Sequence, residues 1–179
     1  MVRACSPPIV FRTQAVRIHV AGIGMALALL IAPSLHDRTV RVVWNVSPSV
    51  PVGLYAVLHR QPNLGELALV RLPEAIAEFA DRSGYLPRAA LLLKPAAATA
   101  GDRVCRFGTE VFVRGRLAAR TLMDDPARRD LPSWQGCRTL GRREVLLLAE
   151  HPASFDSRYF GPLRTQHVVG TAVPIWPRG

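Results

Sequence analysis

Short apolar runs that alternate with proline, glycine and charged residues are the main pattern of this chain after residue 37. Runs of this length, rich in valine and leucine, predict β-strands. Pro73–Asp81 is predicted to be a short helix, because a proline begins it and Gly84 lies beyond its end. Thr121–Thr139 contains two prolines and a glycine and is predicted to be a long loop. The predicted strands are 38–44, 53–59, 67–72, 91–94, 104–106, 111–113, 144–149 and 168–173.

This pattern predicts a mainly β domain with one short helix. Many short strands hide their unpaired edges best when a sheet closes or folds onto a second sheet. Arg114–Arg116 is predicted to be a turn, and Pro174 is expected to end the last strand. The chain shows no internal repeat and leaves no room for a second soluble domain.

One run near the start is long and apolar enough to suggest a membrane segment. Val20–Leu35 holds no charged residue, three arginines precede it, and the first acidic residue is Asp37. Adding residues 16–19 gives the length of about 20 residues that a spanning helix needs. Because positive flanks stay in the cytoplasm, the rest of the chain is expected outside it.

The predicted organisation is therefore a cytoplasmic tail at 1–15, a transmembrane anchor at 16–36 and an exported domain at 37–179. Two other interpretations of the apolar run stay open. A cleaved signal peptide has the same charged start and short apolar core, and a buried core helix has the same composition. Membrane lipid is an expected partner under the first interpretation.

The net charge of the chain limits the classes of partner that are expected. Its 179 residues carry a formal net charge of +10 and are 49% hydrophobic, which excludes a disordered chain. Such a charge favours nucleic acid, anionic lipid or an acidic protein surface. The arginines are scattered and no nucleic-acid-binding motif occurs, so the sequence predicts no nucleic-acid partner.

Two stretches carry candidate chemistry. The first is Asn45–Tyr55, in which prolines flank Ser49 and a second serine, Ser47, lies two residues earlier. Prolines stiffen their surroundings, so Ser49 is expected to be held between two fixed points. A proline-rich surface loop is the other interpretation.

The second stretch contains the only lysine of the sequence, Lys94, at the end of the apolar run Ala89–Leu93. A desolvated lysine can lose its proton near neutral pH, whereas arginine cannot. A neutral amine is a general base that activates a serine hydroxyl. The alternative is a cation at a strand end whose head group reaches water.

Three stretches in one order resemble a known family. Asn45–Tyr55 resembles the serine box of the conjugative-transfer pilin peptidases, a branch of the type I signal peptidases. Leu91–Lys94 followed by Ala100–Val104 resembles their lysine box, and Ser154–Pro162 resembles their Asp-Ser-Arg box. The resemblance covers Asn45 to Pro162. It implies a signal-peptidase-like β domain behind one membrane anchor, in the bacterial inner membrane and facing the periplasm.

The resemblance also implies the site residues. Ser49 would be the nucleophile, Lys94 the general base and Asp156 a third functional residue. The oxyanion would be bound by the Ser49 N–H and the Ser47 hydroxyl, with Ser157 and Arg158 in support. A structural salt bridge between Asp156 and Arg158 is the other interpretation of that pair, and the two roles can coexist. No metal and no cofactor are expected.

The implied substrate is an exported pilin precursor, and the implied partners are the conjugation or secretion machinery. One departure argues against general secretory processing: Leu148–His151 stands where typical signal peptidases have a Gly-Asp-Asn-Arg run. A general signal peptidase, a non-catalytic membrane-anchored component of a transfer apparatus, and a basic lipid- or nucleic-acid-binding module remain alternatives.

The cysteines and histidines add two expectations. Cys5 would be reduced in the cytoplasm, whereas Cys105 and Cys137 would either form a disulfide in the exported domain or stay as two buried thiols. His151 with Asp156 is the one pair that suggests a Ser-His-Asp enzyme. The chain lacks a Gly-x-Ser-x-Gly elbow, so this mechanism is disfavoured, and no zinc-ligand spacing occurs.

Overall fold

Alternating burial along short strands organises the described part of the chain. The structure is a computed structural model that describes residues 40–122 and 131–177. In Gly53–Leu58, for example, every second residue is buried from Gly53 to Val57, which is the pattern of a strand with one face on a core. The predicted tail and anchor, 1–36, lie outside the described residues. Among the residues that are described, no helix is long and apolar enough to span a membrane.

The described residues form eleven strands, two α-helices and a 3-10 turn. In chain order these are β1 (Val42–Asn45), β2 (Gly53–Leu58), β3 (Leu67–Arg71), α1 (Glu74–Arg82), β4 (Leu91–Ala98), β5 (Arg103–Phe107), β6 (Glu110–Val113), β7 (Arg116–Arg120), β8 (Gly136–Thr139), β9 (Glu144–Leu147), α2 (Ser157–Phe160), β10 (Leu163–Arg164), the 3-10 turn (Thr165–His167) and β11 (Val168–Pro177).

Two antiparallel sheets contain these strands. The larger sheet has seven strands in the order β1-β2-β11-β3-β4-β9-β10, and the smaller has four in the order β7-β6-β5-β8. One cluster of buried side chains, which includes Val50, Tyr55, Leu69 and Leu93, packs against the stretch that links β1 to β2. The core therefore supports both stretches that carry the candidate serines and lysine.

The mainly β prediction is confirmed, but the prediction of one short helix was wrong. A second helix, α2, begins after Asp156, whose side chain accepts a hydrogen bond from the backbone N–H of Arg158. This N-terminal cap starts a helix too short to produce a recognisable hydrophobic period. The predicted helix Pro73–Asp81 is observed as α1, shifted by one residue.

Three short strands were missed. The residues of β7 are mostly exposed, so they show no apolar alternation, and β8 lies within the predicted loop Thr121–Thr139. The predicted turn at Arg114–Arg116 overlaps the start of β7, and β10 has only two residues. Each of these strands is defined by its pairing partner, which a local pattern does not contain.

Pro174 does not end the last strand, as the sequence suggested. β11 pairs with β2 as far as Pro177, whereas its pairing with β3 covers only Val168–Ala172. Beyond Ala172, one side of β11 has no neighbouring strand among the described residues. A proline lacking an N–H is tolerated on such an open edge.

The smaller sheet contains a disulfide. Cys105 of β5 lies directly opposite Cys137 of β8, and the two sulfur atoms are bonded. The pairing that the sequence left open is therefore formed. It links residues 32 positions apart and fixes β8, which carries few buried side chains of its own.

The double variant Cys105→Ser/Cys137→Ser should lose about 3–4 kcal/mol of unfolding free energy relative to the oxidised protein, because the unfolded chain regains the entropy of an open loop. Denaturant titration measures this, and wild type in reductant serves as the control. Thiol counting of exported, denatured protein without reductant should find Cys105 and Cys137 blocked. Two free thiols in that part of the chain would contradict the expectation.

Candidate active site

A single buried amide shapes the loop between β1 and β2. Asn45 is 8% exposed, and its Nδ2 donates to the carbonyl oxygens of Ser47, Val50 and Pro51 at 2.8, 3.1 and 3.0 Å. Its Oδ1 accepts from the backbone N–H of Ser47 at 3.1 Å. Carbonyls of a tight loop cannot pair with each other, so a buried side-chain amide supplies the missing partner.

A second side chain fixes the far end of this loop. The hydroxyl of Tyr55, which is 1% exposed, donates to the carbonyl oxygen of Pro51 at 2.5 Å. The buried Val50 anchors the loop on the core. Ser49 therefore projects from a loop that is held on both sides.

The two candidate oxyanion groups lie beside each other. The Oγ atoms of Ser47 and Ser49 are 3.0 Å apart, and the backbone N–H of Ser49 donates to Ser47 Oγ at 3.5 Å. Both groups are near the candidate nucleophile before any substrate is bound. A substrate oxygen at this place would compete for donors that are already oriented.

Lys94 meets this loop from β4. The side chain is 3% exposed, and its Nζ donates to Ser49 Oγ at 2.5 Å and to Ser154 Oγ at 2.7 Å. Ser154 is also 3% exposed. The amine is thus held between two hydroxyls, one of which belongs to the candidate nucleophile. A base within hydrogen-bond reach of a nucleophile is the geometry that general-base catalysis requires.

Burial lowers the pKa of the Lys94 ammonium to about 8. Desolvation penalises the charged form most, the positive Arg158 lowers the pKa further, and the negative Asp156 opposes both. About a tenth of the lysine is then neutral at pH 7, whereas an ordinary lysine is almost wholly charged. A neutral amine able to take a proton from Ser49 is therefore accessible under mild conditions.

Asp156 and Arg158 form a buried ion pair. Arg158 Nε donates to Asp156 Oδ1 at 2.8 Å, and a terminal nitrogen of Arg158 donates to Oδ2 at 3.0 Å. The two side chains are 0% and 2% exposed. Asp156 also accepts from the N–H of Ala149, and Arg158 donates to the Ala149 carbonyl. The structure therefore places Asp156 in the salt bridge that the sequence offered as the alternative, where its influence on Lys94 is electrostatic.

Ser157 has a supporting place in the same cluster. Its Oγ accepts from the backbone N–H of Leu147 at 3.0 Å, which ties α2 to the end of β9. Trp134 Nε1 donates to the Ser157 carbonyl at 3.0 Å. These contacts hold the segment that presents Ser154 to Lys94.

A cleft of about 640 Å³ opens over Ser49 and Lys94. One wall is the serine loop, and the other is the stretch that leads into β4. Most of the lining is apolar, with Trp44, Tyr85 and Phe155 as its largest side chains. Such a cleft fits a peptide with apolar side chains and keeps the amine of Lys94 partly desolvated.

His151 lines the rim of the cleft and does not form a triad. Its Nδ1 accepts from the backbone N–H of Ala153 at 3.2 Å. Asp156, the carboxylate that a triad would need, is bound to Arg158. The disfavoured Ser-His-Asp arrangement is thus absent from the described residues.

Comparison with known proteins identifies the family. The model of the family described as signal peptidase, peptidase S26, matches residues 13–176, which is most of the chain. The chain belongs to the peptidase S26 signal peptidase family.

Relatives of this S26 family member include two plasmid transfer proteins TraF from Escherichia coli. One is 31% identical over 165 residues, covering 86% of this chain and 92% of the relative. The other is 30% identical over 177 residues, covering 93% and 97%. The conjugal transfer protein TraF of Agrobacterium tumefaciens is 30% identical over 145 residues, covering 74% of this chain and 80% of the relative. The resemblance to the conjugative-transfer branch is confirmed.

A solved signal peptidase I from Enterococcus faecalis is also similar to this S26 family member. It is 17% identical, and the alignment covers 63% of this chain and 97% of the solved chain with a TM-score of 0.36.

Two residues of this S26 site were given no role by sequence reasoning. Ser154 lies two residues before Asp156, inside the third box, and its position directly before an aromatic residue in a polar run was the available signal. Asn45 opens the first box and was treated only as its boundary. Its burial could not be foreseen, because a lone asparagine beside a proline-rich stretch usually indicates a turn.

The sequence led to the expectation that the protein holds no metal. No group of three or more histidine, cysteine or acidic side chains lies close enough to hold a metal ion within residues 40–122 and 131–177.

Proposed function

We propose that this protein is a membrane-anchored serine endopeptidase that cleaves an exported pilin-type precursor in a conjugative transfer system. The observation that carries the proposal is the contact between Lys94 Nζ and Ser49 Oγ at 2.5 Å. The lowered pKa of Lys94 and membership of the S26 family support the same chemistry. The names of the TraF relatives supply the link to plasmid transfer.

The first step of this mechanism forms a tetrahedral intermediate. Neutral Lys94 takes the proton of the Ser49 hydroxyl while Ser49 Oγ attacks the carbonyl carbon of the scissile peptide bond. The carbonyl oxygen becomes an oxyanion, which accepts hydrogen bonds from the Ser49 N–H and the Ser47 hydroxyl. Each such donor contributes about 3–4 kcal/mol in hydrolases.

The second step returns the proton. The Lys94 ammonium gives it to the leaving amine, the C–N bond breaks and the acyl group stays on Ser49. Water or an amine of the substrate then attacks this ester, with neutral Lys94 again taking the proton of the attacking group. The ester bond breaks, and the Lys94 ammonium returns the proton to the leaving Ser49 Oγ. Ser154 Oγ, at 2.7 Å from Nζ, keeps the amine oriented through both transfers.

The substrate would lie as an extended peptide in the cleft. β9 pairs with β4 only at Ala96 and Ala98, so the edge of Leu91–Leu93 on that side has no partner strand among the described residues. An extended peptide can add to such an edge through main-chain hydrogen bonds. The apolar lining then selects its side chains.

The proposed location follows from the N-terminal sequence. Residues 16–36 would anchor the protein in the bacterial inner membrane, with the catalytic domain in the periplasm. A reporter that is active only in the periplasm should be active when fused after Gly179. A signal restricted to a cytoplasmic reporter at the same position would overturn this topology.

Mass spectrometry of a co-expressed pilin precursor tests the activity. Wild-type protein should shorten the precursor, and Ser49→Ala should leave it intact because the nucleophile is lost. Ser133→Ala, at an exposed serine outside the cleft, is the matched control and should cleave normally. Cleavage by folded Ser49→Ala would exclude this nucleophile. An intact precursor with wild type would favour a non-catalytic component of the transfer apparatus.

A further inference from the structure

Three arginines surround an open cavity of about 600 Å³ at the start of β9. Arg142 and Arg143 lie in the turn before β9, and Arg164 lies on β10 opposite Glu144. Lys94 lies near the other end of β9, about five residues further along. Ala96, two residues after Lys94, pairs with Leu147, so at about 3.3 Å per residue the cavity is roughly 16 Å from Lys94.

No acidic side chain of the described residues pairs with the three arginines of this cavity. Within residues 40–122 and 131–177, the guanidinium groups of Arg142, Arg143 and Arg164 have no ion pair or hydrogen-bond partner. Of the described residues that line the cavity, Glu144 alone carries a carboxylate. Both of its oxygens accept from Arg138, and one also accepts from the N–H of Gly141.

Like charges around one concave surface repel each other, and a bound anion removes that repulsion. Guanidinium groups match carboxylates and phosphates with paired hydrogen bonds. The three arginines come from two separate segments, the 142–143 turn and β10, and the cavity of about 600 Å³ has room for more than one small anion. β10 is also the last strand of the larger sheet, which lets an extended chain run past it.

We propose that this cavity binds an acidic polypeptide segment of a partner protein. Several carboxylates on one extended segment offer each of the three arginines an acceptor of its own. Binding at this distance leaves the cleft over Ser49 open. The proposal does not depend on the catalytic mechanism, since it rests on charge and shape at the other end of β9.

Fluorescence anisotropy with labelled hexaglutamate tests the site on the full chain in detergent at low salt. The site variant is Arg142→Ser/Arg143→Ser/Arg164→Ser. The control variant is Arg41→Ser/Arg71→Ser/Arg103→Ser, which removes three other exposed arginines without ion-pair partners among the described residues. Each variant lowers the formal charge of +10 by three, so the comparison separates a site from overall charge.

The Kd for hexaglutamate should rise about tenfold or more in the site variant and less than about threefold in the control, because only the former loses the converging donors. Equal weakening in both variants would overturn the proposal in favour of diffuse attraction. Inorganic pyrophosphate and vesicles containing phosphatidylglycerol are the comparison probes. Binding of either through the three site arginines, with no binding of hexaglutamate, would also overturn it.

Discussion

Replacing Lys94 by arginine should lower the rate of precursor cleavage at least as far as losing a general base does, about 10²–10⁴-fold. Arginine keeps the positive charge but stays protonated at any usable pH, so it cannot accept the Ser49 proton. The variant therefore separates charge from chemistry. If Lys94 served only to place a cation near Asp156, arginine would preserve most of the activity.

The pH dependence gives this variant a second readout. With the pKa of Lys94 lowered to about 8, kcat/KM of wild type should rise about tenfold per pH unit below 8 and level off above it. The same profile should be flat for Lys94→Arg. Circular dichroism checks that the variant is folded. A folded arginine variant within about tenfold of the wild-type rate would exclude Lys94 as the base.

The same pKa affects stability with a defined sign. The unfolded chain binds the Lys94 proton up to the ordinary value of 10.5, whereas the folded domain releases it near 8. Between these values the unfolded state binds more protons, so the contribution of Lys94 to the free energy of unfolding rises with pH. Below pH 8 Lys94 is protonated in both states. Burial of the cation then destabilises the folded state by an amount that does not change with pH.

Sequence reasoning located Ser49 and Lys94 because their chemistry is visible in local patterns. A lone lysine at the end of an apolar run indicates desolvation, and two prolines around a serine indicate a fixed loop. The three stretches that resemble the family predicted that Ser49 and Lys94 belong to one site. Ser49 and Lys94 are 45 residues apart in the sequence. Strand pairing brings them together, because Ala68 of β3 lies opposite Lys94 and β11 joins β3 to β2.

Contacts made through tertiary structure were harder to predict. Asn45 is important because its buried amide donates to three carbonyl oxygens, and this burial is a property of the folded loop. β8 pairs with β5 and is linked to it by the disulfide Cys105–Cys137, although its own residues are mostly exposed. Such elements are determined by partners far along the chain, so hydrophobic periodicity does not reveal them.

The Asp156–Arg158 ion pair should be the most important polar contact for stability. Removing one partner of a buried pair leaves an uncompensated charge and costs about 3–5 kcal/mol. Asp156→Asn keeps the shape of the side chain and removes only its charge. We therefore expect this variant to lose about that much unfolding free energy, measured by denaturant titration.

A double-mutant cycle with Arg158→Ala isolates the pair. The double variant should lose less stability than the two single losses together, because the second substitution no longer strands a charge, and the coupling should reach about 1–3 kcal/mol. The exposed pair Glu78–Arg82, at 3.7 Å on α1, is the control and should couple by about 0.5 kcal/mol or less. Equal coupling in the two cycles would show that burial adds nothing to this contact.

The pH dependence of catalysis tests the Asp156–Arg158 pair independently of its effect on stability. The negative Asp156 raises the pKa of Lys94 and the positive Arg158 lowers it. Asp156→Asn removes the first effect and leaves the second, so the midpoint of the pH–rate profile should move below 8 in protein that is kept folded at low temperature. An unchanged midpoint would mean that the pair acts on catalysis only by holding Ser154 against Lys94.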